Sequence, residues 1–173
     1  MHAAAPWSTL LKGISVTVVA LLLGASWLLL DTLPAGPWRL VVAVPPLVVL
    51  VAAAFSVRGY AVRDSVLRVQ RLLWVTRIEL GTLQTAATDA TAGTRSLRLF
   101  GNGGLFSFCG WFRNARLGRY RAFVTDWQHG VVIKASRCTV VLSPADPAGF
   151  VRALQPDRPE RRPQRGPARR HVL

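Results

Sequence analysis

The runs GISVTVVALLLGASWLLL at Gly13–Leu30 and LVVAVPPLVVLVAAAFSV at Leu40–Val57 are each 18 residues long and contain no charged side chain. An α-helix rises about 1.5 Å per residue, and a bilayer core about 30 Å thick needs roughly 20 apolar residues. Each run therefore predicts a transmembrane helix once a residue or two of flank is added. Pro34, Gly36 and Pro37 lie in the short connector and favour a turn, so residues 1–57 predict a transmembrane helical hairpin.

A cleaved signal peptide is the alternative interpretation of the first run. Lys12 would supply its positive charge, and the small residues Gly24–Ser26 would form its cleavage site. The apolar run continues past that site through Trp27–Leu30, however, and the apolar region of a signal peptide is usually about 7–15 residues long. These two features favour a membrane anchor.

The second run contains Pro45 and Pro46, which predict a kink because proline removes a helical hydrogen bond and clashes with the preceding turn. Neighbouring helices can satisfy the carbonyl groups that such prolines leave unpaired. Because neither run offers a charged partner, a simple kink is favoured over a substrate-binding break. We interpret Trp38, Arg39 and Arg58 as anchors at the membrane interfaces, where aromatic rings and long cationic side chains are stable.

Most of the positive charge follows the two apolar runs. The chain has 173 residues and a formal net charge of +14, of which residues 58–155 hold +9 and residues 156–173 hold +4. The positive-inside rule places the arginine-rich side of a membrane protein in the cytoplasm. The sequence therefore predicts a multi-pass membrane protein with both termini in the cytoplasm and the connector outside.

The chain after Val57 has the short, alternating apolar pattern of β-strands, joined by turn-forming pairs such as Asp64-Ser65 and Ser136-Arg137. Residues Thr82–Gly93 predict a loop with a weak strand, and Gly101–Gly104 predicts a flexible connection. The predicted strands are Tyr60–Arg63, Val66–Gln70, Leu73–Leu80, Ser96–Phe100, Tyr120–Trp127, Val131–Ala135 and Thr139–Leu142.

The last predicted element is a helix. Asp146 is a suitable N-cap and Pro147 a suitable first residue, and Phe150, Val151 and Leu154 follow at helical spacing. Many short strands followed by one amphipathic helix predict an α+β domain at residues 58–155, a small antiparallel β-sandwich or barrel with a C-terminal capping helix. Residues 156–173 contain too few apolar side chains to form a core, so we interpret this Pro/Arg-rich tail as disordered.

Four segments of the domain carry a resemblance to a known family. They are YAVRDSVLRV at 60–69, GLFSFCGWF at 104–112, LGRYRAFVT at 117–125 and VVLSPADPAGFVRAL at 140–154. In this order they resemble the bacterial pleckstrin-homology-like (PH-like) domains that are attached to membrane helices. The resemblance covers roughly Arg58–Leu154. Its most specific parts are S-P-x-D-P-x-x-F-V-x-x-L at 143–154 and the G-L-F…G-x-F segment at 104–112.

The resemblance implies a seven-stranded, strongly bent β-sandwich capped by a C-terminal helix, in a protein of the bacterial inner membrane. It implies no catalytic residues, because these domains bind or scaffold. Eukaryotic relatives of the fold often bind phosphoinositides, but a fold alone does not transfer a ligand.

The residues themselves favour no enzyme, metal site or cofactor. The three histidines are far apart in the sequence, and His129 lies in a predicted turn where a solvated imidazole is expected. No pair of carboxylates has a spacing that suggests acid–base catalysis. We interpret Cys109 and Cys138 as small packed side chains, since a cytoplasmic domain keeps its thiols reduced.

One charged cluster has a residue composition that suggests a binding surface. Basic and aromatic side chains alternate within eleven residues, and such a mixture suits anionic lipid headgroups or nucleic acid. The membrane tether favours lipid over nucleic acid, and the charge could also serve only to set the topology. The candidate lipid or partner surface consists of Arg113, Arg116, Arg119, Arg121, Trp111 and Tyr120.

The sequence thus predicts a non-catalytic membrane protein whose cytoplasmic PH-like domain is an interaction module. Its partners would be the lipids of the inner leaflet or a protein. The alternative is a structural subunit of a membrane complex that assembles through the hairpin.

Overall fold

The computed structural model describes residues 2–4, 6–34 and 36–154, so the tail predicted to be disordered lies outside the described residues. The described helices are α1 (Thr9–Thr32), α2 (Val44–Ala54) and α3 (Pro147–Leu154), with 3₁₀ helices at Pro37–Ala43 and Trp127–His129. The described strands are β1 (His2–Ala3), β2 (Val57–Arg63), β3 (Val66–Arg71), β4 (Val75–Glu79), β5 (Leu83–Thr88), β6 (Leu97–Gly103), β7 (Phe108–Asn114), β8 (Gly118–Val124), β9 (Val131–Ala135) and β10 (Thr139–Leu142).

The strands form two sheets, ordered β1-β2-β3-β4 and β5-β9-β10-β8-β7-β6. The described part of the chain has ten strands, and nine of them (β2 to β10) belong to the domain for which the family resemblance implied seven. The prediction of a wholly antiparallel domain is wrong at one place, because β10 runs parallel to β8. Parallel neighbours need a crossover connection, and here the chain makes it by passing through β9 before it returns as β10.

Local turn chemistry explains two of the hairpins. Asp64 and Ser65 have φ values of 53° and 60°, and two such residues form the tight turn that matches the twist of paired strands. The turn predicted at Ser136-Arg137 joins β9 to β10, where the Ala135 N–H donates to the Cys138 carbonyl at 3.0 Å. Both turns lie where the sequence predicted them.

The main core lies between the two sheets. Tyr60, Leu67 and Val69 of the smaller sheet pack with Phe123 and Ile133 of the larger sheet, and all five are at most 1% exposed. Phe150 of α3 is buried in the same core. Each such side chain contributes about 1.5–3 kcal/mol by its removal from water.

A second core covers the other face of the larger sheet. Phe112, Tyr120 and Val124 are buried there, together with Ala92 of the segment that follows β5. A Cβ atom on Gly93 would overlap the Trp127 ring, so this segment lies tightly against the sheet. The prediction of a loop with a weak strand at Thr82–Gly93 corresponds to β5 and this packed segment.

The sequence predicts a flexible connection at Gly101–Gly104, but the structure shows a different arrangement. Most of this segment belongs to β6, where Gly101 lies opposite Gly110 of β7. Their φ values are 113° and 147°, and a Cβ atom on either residue would overlap the backbone of the facing strand. Glycine is needed at both positions because the two strands approach each other closely.

Helix α1 is longer than its uncharged run, and the Ser8 Oγ caps it by accepting a hydrogen bond from the Leu11 N–H at 3.2 Å. Within the described residues, α1 is the one helix whose length and apolar composition would allow it to cross a membrane. A second apolar helix, Arg39–Ala54, is shorter. The chain therefore has an apolar helix near its N-terminus and a second, shorter one after it.

The second apolar run does not form one α-helix over Leu40–Val57. The chain is a 3₁₀ helix at Pro37–Ala43 and an α-helix at Val44–Ala54, and Val57 already belongs to β2. Pro45 and Pro46 occupy the first turn of α2, where a missing N–H removes no hydrogen bond within that helix. The irregularity expected at the prolines is thus a change from 3₁₀ to α-helix.

The N-terminal segment is attached to the sheets. Strand β1 pairs with β2, and the Ser8 N–H donates to the Thr125 carbonyl at 3.4 Å. On α1, the Ser15 hydroxyl donates to the Gly104 carbonyl at 3.3 Å and accepts from the Phe106 N–H at 3.0 Å. The start of α1 is therefore held against the β domain, which the sequence did not indicate.

Candidate functional site

One face of the larger sheet brings together four of the predicted surface residues. In β7 and β8, Trp111 lies opposite Arg121 and Arg113 lies opposite Arg119, so all four side chains share one side. The guanidinium carbons of Arg119 and Arg121 lie 4.4 Å and 5.4 Å from the centre of a Trp111 ring. We call Trp111, Arg113, Arg119 and Arg121 the Arg/Trp face.

The other two predicted surface residues lie elsewhere. Tyr120 is fully buried on the opposite face, stacked on Phe112, and its hydroxyl donates to the Ser96 Oγ at 2.7 Å. Its assignment to the contact surface is therefore wrong. Side chains alternate along a strand, so Tyr120, between Arg119 and Arg121, points away from them. The alternation of side chains along the predicted strand could therefore have excluded Tyr120 from the contact surface on sequence alone.

Arg116 is engaged by an acidic partner. It lies in the turn between β7 and β8, with its Nη2 2.6 Å from the Asp89 Oδ2 and its Nη1 3.2 Å from the Thr91 Oγ1. This ion pair fastens the turn to the segment after β5. Arg116 is consequently less available to an external anion than Arg113 and Arg119, which are exposed.

The Arg/Trp face continues into a groove with a volume of about 620 Å³ between α2 and strands β6–β8. We call it the α2 groove. Its wall on the helix side consists of Leu47, Val48, Val51, Ala52 and Phe55. Its wall on the sheet side includes Phe100, Trp111 and Phe123, together with the cations Arg71 and Arg121.

Arg71 is held at one end of the α2 groove. Its Nε donates to the Thr76 Oγ1 at 2.8 Å and its Nη1 donates to the Phe55 carbonyl at 2.9 Å. Its guanidinium carbon lies 5.0 Å from the centre of the Phe55 ring and 5.3 Å from that of Phe123. These contacts fix the cation where α2 meets the sheet.

Arg121 approaches the same Phe123 ring, with its guanidinium carbon 5.3 Å from the ring centre. Burial lowers the pKa of Arg121, and the positive charge of Arg71 lowers it further. Among the described residues, the acidic partners of arginine ion pairs are Asp64, Asp89 and Glu79, and none of them contacts Arg71 or Arg121. Two cations without a carboxylate partner in this part of the chain therefore converge on an apolar groove.

An exposed apolar tip lies next to the groove. Leu72, Leu73 and Trp74 connect β3 to β4, and Leu73 is 74% exposed. The Trp74 ring packs edge-on against Phe55 at the end of α2, with ring centres 4.8 Å apart. We call Leu72–Val75 the β3–β4 tip.

Sequence reasoning missed both the tip and Arg71 as site residues. The sequence predicts a strand that begins at Leu73, and Arg71 lies between two predicted strands. Four consecutive apolar residues at a turn break the strand alternation, and this signal points to an exposed contact surface. No local sequence pattern indicates that Arg71 and Arg121 line the same groove.

The predicted interface anchors lie on either side of the second apolar helix. Trp38 and Arg39 belong to the 3₁₀ helix at its start, and Arg58 lies in β2 just beyond its end. Arg39 and Arg58 are exposed. Their role as anchors stays a prediction.

The other polar side chains build structure. His129 has a carboxylate partner, contrary to expectation, since its Nδ1 lies 2.9 Å from the Asp126 Oδ2. Buried Ser143 accepts the Thr125 N–H at 2.8 Å through its Oγ.

Burial raises the pKa of the Cys109 and Cys138 thiols. Among the described residues, no group of three His, Cys, Asp or Glu side chains could hold a metal ion.

Comparison with protein-family models identifies the family of the β domain. Residues 58–157 match the family described as "Bacterial PH domain", which is more than half of the chain. The matched range contains strands β3 to β10, helix α3 and nearly all of β2. No match was found among curated proteins or among solved structures.

Proposed function

This chain belongs to the bacterial PH domain family, as its motifs predicted, and from that premise we propose that it is a membrane-anchored interaction module without catalysis. PH domains are generally non-catalytic modules that bind lipids or proteins. The proposed arrangement is a transmembrane hairpin at 1–57, a cytoplasmic PH-like domain at 58–155 capped by α3, and a basic tail at 156–173.

The lengths of the helices support a hairpin. Helix α1 has 24 residues and reaches about 36 Å at 1.5 Å per residue. A 3₁₀ helix rises about 2.0 Å per residue, so the seven residues of Pro37–Ala43 and the eleven of α2 together reach roughly 30 Å. The Ser26 hydroxyl also donates to the Val42 carbonyl at 3.0 Å, which joins the two helices.

The observation that carries the proposal is the position of the basic and apolar surfaces relative to α2. The Arg/Trp face leads into the α2 groove, and the β3–β4 tip contacts Phe55 at the end of the same helix. If α2 leaves the bilayer at Phe55, both surfaces lie at the level of the headgroups. There, each basic residue gains about 1 kcal/mol from an anionic leaflet, and tryptophan is favoured.

The proposed partner is therefore the anionic inner leaflet of the bacterial inner membrane. Nucleic acid is disfavoured because the proposed tether turns the basic face toward lipid. A protein partner is the other outcome that the test below can give.

Hydrogen–deuterium exchange on the full chain in nanodiscs tests this proposal. We expect residues 71–75 and 111–121 to exchange more slowly when phosphatidylglycerol is added to phosphatidylcholine, because anionic headgroups attract the basic face and cover these residues. The variant Arg113→Gln/Arg119→Gln should lose this difference. Arg63→Gln/Arg152→Gln removes the same charge from exposed positions outside these segments and should retain it.

Equal exchange in both kinds of nanodisc would contradict the lipid proposal. The Arg/Trp face would then be assigned to a protein partner. Crosslinking from residue 113 in native membranes, followed by identification of the attached protein, would name it.

The alternative function, a structural subunit assembled through the hairpin, is favoured by one observation. Gly13, Thr17 and Gly24 are exposed on α1, and a shallow groove lies over Gly13 and Thr17. Small residues let membrane helices approach closely. Under this alternative, crosslinking in membranes would give oligomers that Gly13→Leu/Gly24→Leu abolishes, while exchange at 111–121 would not respond to lipid charge.

A further inference from the structure

The α2 groove has the features of a discrete binding site, which a protein does not need in order to contact a flat layer of headgroups. It is a concave space of about 620 Å³, within the range of about 300–1,000 Å³ that is typical of small-molecule sites. One wall is the apolar side of α2, where Leu47 and Val51 are 57% and 50% exposed. The opposite wall carries Phe100, which is 77% exposed although it is a large aromatic residue.

The polar end of the groove is cationic. Arg71 and Arg121 approach the same Phe123 ring from positions 50 residues apart in the sequence. The ion pairs of the described residues place no carboxylate against either arginine, and the positive charge of Arg71 is one cause of the lowered pKa of Arg121. A phosphate between them would remove this repulsion, and the planar guanidinium is well suited to bind phosphate oxygens.

We propose that the α2 groove binds one anionic phospholipid molecule, with its phosphate at Arg71 and Arg121 and an acyl chain along Val48 and Val51. The inference rests on the proposed membrane anchor, and it adds a discrete site to the general contact with the leaflet. It also accounts for the exposed apolar walls, which the acyl chain would cover.

A lipid fits better than a free phosphate or a soluble metabolite. The groove wall formed by α2 belongs to a helix that the proposed function places in the bilayer, so the groove is open to lipid from the side. A free phosphate would satisfy Arg71 and Arg121 but would leave the apolar walls uncovered. An occupant with both an anionic group and a long apolar part satisfies both ends.

Native mass spectrometry of the full chain, delipidated in detergent, tests the proposal by titration with phosphatidylglycerol. We expect one molecule to bind per chain, at least tenfold more tightly than phosphatidylcholine. Inorganic phosphate in millimolar excess should not displace it, because the acyl chain contributes to binding. Displacement by phosphate would show an anion site alone and would overturn the proposal.

Two pairs of variants locate the site. Val51→Trp fills the groove and should abolish tight binding, whereas Leu50→Trp changes a neighbouring exposed residue that does not line the groove and should leave binding intact. Arg121→Gln should weaken binding at least tenfold, and Arg63→Gln should not. Arg71 is left unchanged because it also holds the Phe55 carbonyl.

Retention of tight phosphatidylglycerol binding by Val51→Trp, or equal affinity for the two lipids, would contradict the groove site. The exchange experiment above depends on Arg113 and Arg119, which do not line the groove. The lipid titration can therefore contradict the groove site while the exchange experiment supports contact with the leaflet. The exchange experiment can likewise contradict contact with the leaflet while the titration supports the groove site.

Discussion

Tyr60 joins the two sheets at a single hydroxyl group. It is fully buried, donates to the Phe123 carbonyl at 2.7 Å and accepts from the Ser143 N–H at 3.3 Å. Burial raises the pKa of Tyr60 well above its ordinary value of 10.0. One side chain therefore satisfies two backbone groups, one in β8 and one in the residue that directly follows β10.

We expect Tyr60→Phe to lower the free energy of unfolding by about 1–3 kcal/mol, because two buried backbone groups lose their partner. Thermal denaturation of the full chain in detergent measures this loss. Tyr120→Phe is the matched control and should cost less, since its partner Ser96 is only partly buried.

The same variant should change the dependence of stability on pH. In the unfolded chain Tyr60 ionises near pH 10, whereas in the folded chain it keeps its proton to higher pH. The unfolded state thus releases protons first, so stability is complete below pH 10 and falls as the pH rises above it. Tyr60→Phe should show a shallower fall above pH 10, and an unchanged slope would contradict this account.

At the scale of elements, the two prolines of α2 explain a contact between helices. Pro45 has no N–H, so the Val42 carbonyl three residues earlier lacks the donor that a continuing 3₁₀ helix would supply. The Ser26 hydroxyl of α1 donates to this carbonyl at 3.0 Å. The Ser26 hydroxyl thus supplies the donor that Pro45 lacks, as the proposed position of the two helices in a membrane would require.

We predict that Ser26→Ala lowers the stability of the full chain by about 0.6–2 kcal/mol, because the Val42 carbonyl then has no donor. Thr32→Val serves as the control, since the Thr32 hydroxyl bonds the Leu28 carbonyl within its own helix. The melting temperature in detergent should fall for Ser26→Ala and hold for Thr32→Val. Equal melting temperatures would show that the contact contributes nothing.

At the scale of the molecule, the uneven charge predicts the topology. The stretch between the two uncharged runs carries Asp31 and Arg39, whereas the domain that follows has a net charge of +9. We expect alkaline phosphatase fused after Gly36 to be active, because it lies outside the cytoplasm. Green fluorescent protein fused after Leu173 should fluoresce. A dark C-terminal fusion, with phosphatase inactive after Gly36, would indicate the opposite orientation.

Much of the fold was predictable because it depends on local patterns. The turn at Asp64-Ser65 and the helix carrying Phe150 follow from short stretches of sequence, and Asp146 accepts the Gly149 N–H at 2.9 Å as a cap should. The candidate site was predicted only in part. Trp111, Arg113, Arg119 and Arg121 do share a face, but strand alternation excludes Tyr120 and the Asp89 ion pair engages Arg116.

The sequence alone determined the apolar helices, the arginine-rich β domain and its family, since hydropathy, spacing and turn chemistry act between near neighbours along the chain. Only the tertiary structure decided that β10 runs beside β8, that β1 joins the sheet and that Arg71 and Arg121 line the same groove beside α2. The physical reason is that strand partners and groove walls depend on which distant surfaces bury each other, and no local periodicity records that choice.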